Sequence, residues 1–100
     1  MTRSLRWTEQ AVTQLGAIAE YVAVSSPVYA EQVVDRVVRR LAQAQQFSES
    51  GRAVPEYQSA EIRELVEFPY RLIYRVQPDA IEVLAILHGR REVGPRSPGE

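Results

Sequence analysis

The stretch 70–76, YRLIYRV, constrains the fold more than any other part of the chain. Apolar or aromatic residues occupy every second position, whereas Arg71, Ile73 and Arg75 fill the positions between them. Because successive side chains of a β-strand point to opposite faces, this period of two predicts a strand with two different faces. We expect the apolar face to pack against a core, and the arginine-bearing face needs a separate explanation.

A second strand-like run, 81–88, follows the turn 77–80 and predicts an antiparallel hairpin with 70–76. In that register one face carries only apolar or aromatic pairs: Val76 with Ile81, Tyr74 with Val83, Leu72 with Ala85 and Tyr70 with Leu87. The other face pairs Arg75 with Glu82, Ile73 with Leu84 and Arg71 with Ile86. The opposite charges favour this register. We therefore predict an exposed apolar strip of Ile73, Leu84 and Ile86, which is typical of a partner-binding site.

The rest of the chain predicts two helices and two further strands. Residues 5–7, LRW, indicate a first strand, and helically spaced apolar residues predict a helix over about 8–24 that begins at the N-cap Thr8. Ser26 and Pro27 have the residue types that start a second helix, which ends near Phe47. Residues 51–60 indicate an irregular loop, and residues 61–67 indicate a strand.

This order predicts an α+β fold, β-α-α-β-β-β, with the N-terminal helical hairpin packed on one face of a small, mainly antiparallel sheet. We expect a single domain over residues 1–92 and a flexible C-terminal tail over 93–100, which contains two Gly and two Pro in GPRSPGE.

The composition limits the chemistry that the chain can perform. Its net charge of −1 provides no global positive field for nucleic acid, so we expect no direct nucleic-acid binding by the chain on its own. It has no Cys, no Lys and one His, so we expect no cofactor and no metal. No apolar run is long enough for a membrane span or a signal peptide, and we expect a cytoplasmic protein.

Four fragments carry a family resemblance: GRAVPE (51–56), IRELV (62–66), YRLIYRV (70–76) and ILHGRRE (86–92). In this order and spacing they resemble the ParE branch of the RelE/ParE toxins, which belong to bacterial type II toxin–antitoxin systems. The resemblance implies a ParD-type antitoxin whose flexible C-terminal segment wraps the toxin. It also implies inhibition of DNA gyrase, whereas RelE-like members cut messenger RNA on the ribosome.

The residues favour the gyrase branch. The RNA-cutting branch has lysines in the loop and second strand, an arginine on the next strand, a basic residue, and a C-terminal Tyr or His. Arg71 matches the strand arginine and Arg90–Arg91 match the basic residues, but the lysines have no counterpart and no Tyr or His follows Arg91. Two alternatives stay open: an RNA endonuclease that uses Arg71, His88 and Arg91, and a toxin fold that has lost toxicity and still binds its antitoxin.

Two sets of binding residues follow from the resemblance and the hairpin register. The predicted target-binding residues are Arg71, His88, Arg90 and Arg91. The predicted antitoxin-binding residues are Ile73, Arg75, Leu84 and Ile86 on the sheet, with Tyr21 and Tyr29 beside the turn of the helical hairpin. Structural roles compete with these assignments, since Arg75 has Glu82 as an ion-pair partner and His88 suits a packed or hydrogen-bonded position.

Overall fold

The computed structural model describes residues 3–89, which form a helical hairpin and a five-stranded sheet. The elements are β1 (Ser4–Trp7), α1 (Glu9–Ser25), α2 (Pro27–Gln46), β2 (Arg52–Ala53), β3 (Ile62–Glu67), β4 (Tyr70–Val76) and β5 (Ala80–His88). The predicted α+β class and the order of the predicted elements are confirmed. The predicted tail, 93–100, lies outside the described residues.

Both helices begin where the sequence places their caps. The Thr8 hydroxyl accepts a hydrogen bond from the Ala11 N–H at 3.1 Å, and the Ser26 hydroxyl accepts one from the Tyr29 N–H at 3.0 Å. Each bond satisfies a donor that the first helical turn leaves unpaired. Pro27 is the first residue of α2, where its missing N–H is harmless. These local signals fix both helix starts.

The strands lie in the order β1-β5-β4-β3-β2, and only the pair of β1 with β5 is parallel. The prediction of an entirely irregular loop over 51–60 is wrong at Arg52 and Ala53. These two residues pair antiparallel with Glu64 and Arg63 and form the short edge strand β2. A two-residue strand has no hydrophobic period, so the sequence carries no signal for it.

The main core lies between the helical hairpin and one face of the sheet. Val37 and Leu41 of α2 are buried there with Leu72, Tyr74 and Val83 of the sheet. The Tyr74 hydroxyl donates to the carbonyl of Ser48 and accepts from the N–H of Gly51, both at 2.9 Å. A Cβ atom at Gly51 would lie 2.5 Å from this hydroxyl oxygen, so any residue other than glycine would clash with Tyr74 at this position.

A β-bulge in the hairpin of β4 and β5 changes the predicted register. The pairs Val76–Ile81, Arg75–Glu82 and Tyr74–Val83 are confirmed. Beyond Tyr74 the register shifts by one residue, with Leu84 as the extra residue of β5. The observed pairs are Ile73–Ala85, Leu72–Ile86, Arg71–Leu87 and Tyr70–His88, so the four predicted pairs in this half of the hairpin are wrong.

The bulge also exchanges the faces of the residues that follow it, because one inserted residue reverses the alternation of a strand. Ile86 lies in the main core with 1% of its surface exposed. Ile73 is also 1% exposed, but on the opposite face of the sheet, and Leu84 is half-buried beside it. The predicted exposed strip of Ile73, Leu84 and Ile86 is therefore wrong.

The segment 52–60, which we call the strap, covers the sheet face opposite the helices. Its Val54 is fully buried against Ile62, Ile73, Ala85 and Leu87, and Tyr57 packs on the same cluster. The sequence suggested no cover for this face. The strap forms a second, smaller core there, and it places the carboxylate of Glu56 beside Arg71 of the sheet.

Candidate functional site

A buried ion network surrounds Arg71 beneath the strap. The Arg71 Nε donates to Oε1 of Glu64 at 2.7 Å, and its Nη1 and Nη2 donate to Oε2 and Oε1 of Glu56, both at 3.1 Å. The second contact is bidentate, which is the geometry that matches a guanidinium to a carboxylate. Arg71 is buried, Glu56 keeps 15% of its side-chain surface exposed, and the Glu64 side chain has no exposed surface.

Three elements assemble this network. Arg71 on β4 and Glu64 on β3 share the face opposite the helices, because Arg71 pairs with Val66, two positions from Glu64. The strap adds Glu56, and Arg52 of β2 places its Nε 2.6 Å from Oε2 of Glu64. Two arginines thus meet two carboxylates, which compensates each buried charge.

The network stabilises the charged form of Arg71. Hydrogen bonding to Glu56, and to a smaller extent to Glu64, raises the pKa of the Arg71 guanidinium although desolvation opposes the shift. Arg71 therefore stays protonated and cannot shuttle protons. Each nitrogen of its guanidinium donates to a carboxylate of its own chain, so in this arrangement it does not present a free fork to a phosphate.

A cleft of about 1090 Å³ opens beside the network. Its walls combine the strap, the turn between β3 and β4, and the end of β5, and include Arg52, Glu56, Phe68, Tyr70, Arg71 and His88. His88 is exposed, and its ring meets that of Tyr70 edge-on at 6.3 Å between centroids. The structure thus brings Arg71 and His88 to one cleft, whereas Arg90 and Arg91 lie outside the described residues.

The predicted antitoxin-binding residues do not form one surface, because some lie on the sheet, some lie beside the helical turn and some are buried. Arg75 and Glu82 form the predicted ion pair, at 3.6 Å. Tyr21 and Tyr29 are exposed beside the helical turn, and the Arg36 guanidinium lies 5.6 Å from the centre of the Tyr29 ring. The burial of Ile73 and Ile86 removes the reason for assigning them to a partner.

An apolar groove runs along the outer side of the helical hairpin. Two adjoining hollows of about 660 and 390 Å³ share Ala19 of α1 with Val34 and Val38 of α2. Acidic side chains, Glu20, Glu31 and Asp35, line the larger hollow. Small side chains on the floor leave room for another element to approach the helices closely, and sequence periodicity did not single out this groove.

Residues 3–89 contain no cluster of three or more His, Cys, Asp or Glu side chains arranged to hold a metal ion. In the same part of the chain neither helix is both long and apolar enough to cross a membrane.

Comparison with known proteins identifies the family. The family model described as "ParE toxin of type II toxin-antitoxin system, parDE" matches residues 5–93. The chain belongs to the ParE toxin family. A search of curated protein sequences finds no significant match.

Solved structures that resemble this ParE-family chain include two from toxin–antitoxin systems. One is from the chromosomal ParDE toxin–antitoxin system of P. aeruginosa, with a TM-score of 0.70 and 29% identity; the alignment covers 87% of this chain and 96% of that one. The other is from the toxin–antitoxin complex RelBE2 of Mycobacterium tuberculosis, with a TM-score of 0.59, 19% identity and coverage of 88% and 99%. At 19% identity, the similarity to the RelBE2 structure shows a shared fold only.

For this ParE-family toxin, sequence reasoning found Arg71 and His88 but missed the two carboxylates that bind Arg71. The sequence did contain one indication that Glu64 needs a charged partner. Glu64 lies in a strand-like run at the same face as Ile62, and a charged residue at a core-facing position requires a partner. Glu56 gave no signal, because its approach to Arg71 depends on the path of the strap across the sheet.

Proposed function

We propose that this ParE-family chain is a toxin that inhibits DNA gyrase by binding it, without cutting RNA, and that a ParD-type antitoxin neutralises it. The observation that carries the choice of target is the state of Arg71. This residue occupies the strand position at which the RNA-cutting branch has an arginine, and here Glu56 and Glu64 neutralise it.

The chemistry of RNA cleavage supports the same choice. A nuclease needs a base, an acid and a cationic clamp for the transition state. With no Lys anywhere in the sequence, and with Arg71 bound to Glu56 and Glu64, this chain offers a poor clamp. His88 is the only His and would have to perform the proton transfers largely alone.

A direct test compares the two activities with the same protein. Purified chain should inhibit supercoiling by gyrase or trap its cleavage complex, and it should leave ribosome-bound messenger RNA intact. The opposite pattern, cut message and unaffected gyrase, would establish the endonuclease alternative. Growth arrest on expression, relieved by co-expression of the antitoxin, would show that the chain is toxic. It would thereby distinguish the gyrase inhibitor and the endonuclease from a toxin fold that has lost toxicity.

The groove on the helical hairpin is the surface that best suits the antitoxin. Its apolar floor and small side chains fit an amphipathic helix, which binds through one apolar face. A flexible segment can fold as it enters such a groove and exclude water from Val34 and Val38. Tyr21 and Tyr29 are exposed at the hairpin turn but do not line this groove, and Tyr29 instead contacts Arg36, so their role in antitoxin binding stays a separate prediction.

The groove proposal has a matched pair of variants. Ala19→Glu places a charge on the shared floor, whereas Ala17→Glu adds the same charge at an exposed position of the same helix that does not line the groove. Ala19→Glu should weaken binding of the antitoxin encoded beside the toxin gene at least about tenfold, and Ala17→Glu should not. Equal affinities, measured by calorimetry, would contradict the placement.

A further inference from the structure

The turn between β3 and β4 exposes an aromatic side chain that neither the core nor the strap uses. Phe68 is 85% exposed, the residue before it, Glu67, faces α2, and Val66 beside them is also exposed. A large apolar side chain held in water at this level is unfavourable for the isolated chain, and it gains free energy when a partner covers it.

The turn is held rigidly. The Gly89 N–H donates to the carbonyl of Pro69 at 2.6 Å, which ties the end of β5 to the turn. On the other side Arg40 Nη2 donates to the carbonyl of Val66 at 3.0 Å, which ties α2 to the end of β3. Phe68 is therefore presented on a preformed support, which lowers the entropy lost when a partner binds.

The charges beside the turn are not balanced. One carboxylate, Glu67, serves two arginines of α2: the Arg36 Nε lies 3.7 Å away and the Arg40 Nε lies 3.3 Å away. Both distances exceed those of a good charge-assisted hydrogen bond, and the Arg40 Nε, which is buried, has no hydrogen-bond partner within the described residues. Stacking on Tyr29 holds the Arg36 guanidinium at the surface.

From these observations we propose that Arg36, Arg40, Glu67 and Phe68, together the Phe68 surface, bind an acidic pocket on the folded target protein. Phe68 enters the pocket, and a target carboxylate pairs with the exposed Arg36 guanidinium, which leaves Glu67 to Arg40. Aromatic and arginine side chains are the residues that dominate binding energy at interfaces. The proposal rests on the proposed function, in which that target is gyrase.

The shape of the surface distinguishes the target from the antitoxin. A projecting side chain on a rigid turn needs a preformed pocket, which a folded protein supplies. A flexible segment instead folds into grooves such as the one between α1 and α2. The two partners therefore use different surfaces, and a change at Phe68 should affect one interaction and not the other.

The test uses two pairs of variants of the full chain. Phe68→Ala is matched by Phe47→Ala, which removes an aromatic ring that is 63% exposed at the C-cap of α2. Arg36→Gln is matched by Arg39→Gln, which removes an exposed arginine paired with Asp35 at 2.7 Å on the same helix.

We expect Phe68→Ala to raise the concentration that half-inhibits gyrase supercoiling at least about tenfold, and Arg36→Gln to raise it several-fold. Antitoxin affinity should stay unchanged for both variants, and Phe47→Ala and Arg39→Gln should behave as wild type. Two results would overturn the proposal. One is a Phe68→Ala variant that inhibits gyrase as strongly as wild type, and the other is a Phe68→Ala variant that loses antitoxin binding and keeps gyrase inhibition.

Growth arrest on expression provides a second measurement that does not presuppose the target. If the wild-type chain stops growth but leaves gyrase unaffected, the proposed function fails, and loss of growth arrest in Phe68→Ala still supports the surface. If Phe68→Ala stops growth as well as wild type does, the surface is refuted whatever the target. A wild-type chain that neither arrests growth nor inhibits gyrase would refute both.

Discussion

Replacing Arg71 with methionine should destabilise the fold by about 3 kcal/mol, because it leaves two carboxylates without their main partner. Removing one member of a buried ion pair typically costs about 3–5 kcal/mol. We expect the lower end of this free-energy range for Arg71→Met. Glu64 keeps its ion pair with Arg52 at 2.6 Å, and Glu56 lies at the edge of the cleft, where it can turn towards solvent. The loss of Coulomb attraction falls mainly on Glu64, whose side chain is completely buried.

Arg75→Met is the matched control on the same strand. Arg75 is also paired with a carboxylate, Glu82 at 3.6 Å, but both side chains are partly exposed. Such surface pairs contribute about 0.2–1 kcal/mol. For a domain of this size 1 kcal/mol shifts Tm by roughly 4–8 °C, so we expect a decrease of roughly 12–24 °C for Arg71→Met and at most about 8 °C for Arg75→Met.

Thermal and urea unfolding followed by circular dichroism measures both variants. A double variant, Arg71→Met with Glu64→Leu, should recover about 1–2 kcal/mol, because it removes the buried carboxylate that the single variant leaves poorly compensated. Equal losses for Arg71→Met and Arg75→Met would refute the view that burial of the network sets the cost. A double variant less stable than Arg71→Met would show that lost packing dominates.

Two further predictions concern the hydroxyl of Tyr74. Gly51→Ala should reduce stability and lower Tm, because its Cβ would lie 2.5 Å from that oxygen and 2.6 Å from the carbonyl of Glu64; unchanged Tm would contradict the close approach. Burial raises the pKa of Tyr74 above its ordinary value of 10.0, so its contribution to stability is full below pH 10 and decreases as pH rises through the folded-state pKa. Tyr74→Phe should therefore lose less stability than wild type between neutral pH and alkaline pH; an identical slope would contradict this.

Much of the fold follows from local sequence signals. Thr8, Ser26 and Pro27 specify both helix starts, since a cap acts on neighbouring backbone groups. The alternation in 70–76 specifies a two-faced strand, and the charge pair Arg75–Glu82 identifies the register near the turn. These features depend on residues that are close in the chain or directly across a tight hairpin.

The candidate site was predictable only in part. Arg71 and His88 were found and do meet at one cleft, because both lie at the same end of adjacent strands. Glu56 was missed as a partner of Arg71, because its approach depends on the path of the strap. Glu64 was missed because its position depends on the pairing of β3 with β4. The prediction that the strip is exposed is wrong for a related reason, since the strap buries Ile73 and the bulge moves Ile86 into the main core.

The sequence by itself determined the α+β class, the helix caps and every described strand except β2, each of which is a property of composition or of short-range pattern. Only the tertiary structure decided which face each residue of β5 occupies and whether the arginine face of β4 is open. One extra residue, Leu84, moves Ile86 into the main core. The strap closes the other face and pairs Arg71 with Glu56, a contact between residues far apart in the chain that no local pattern encodes.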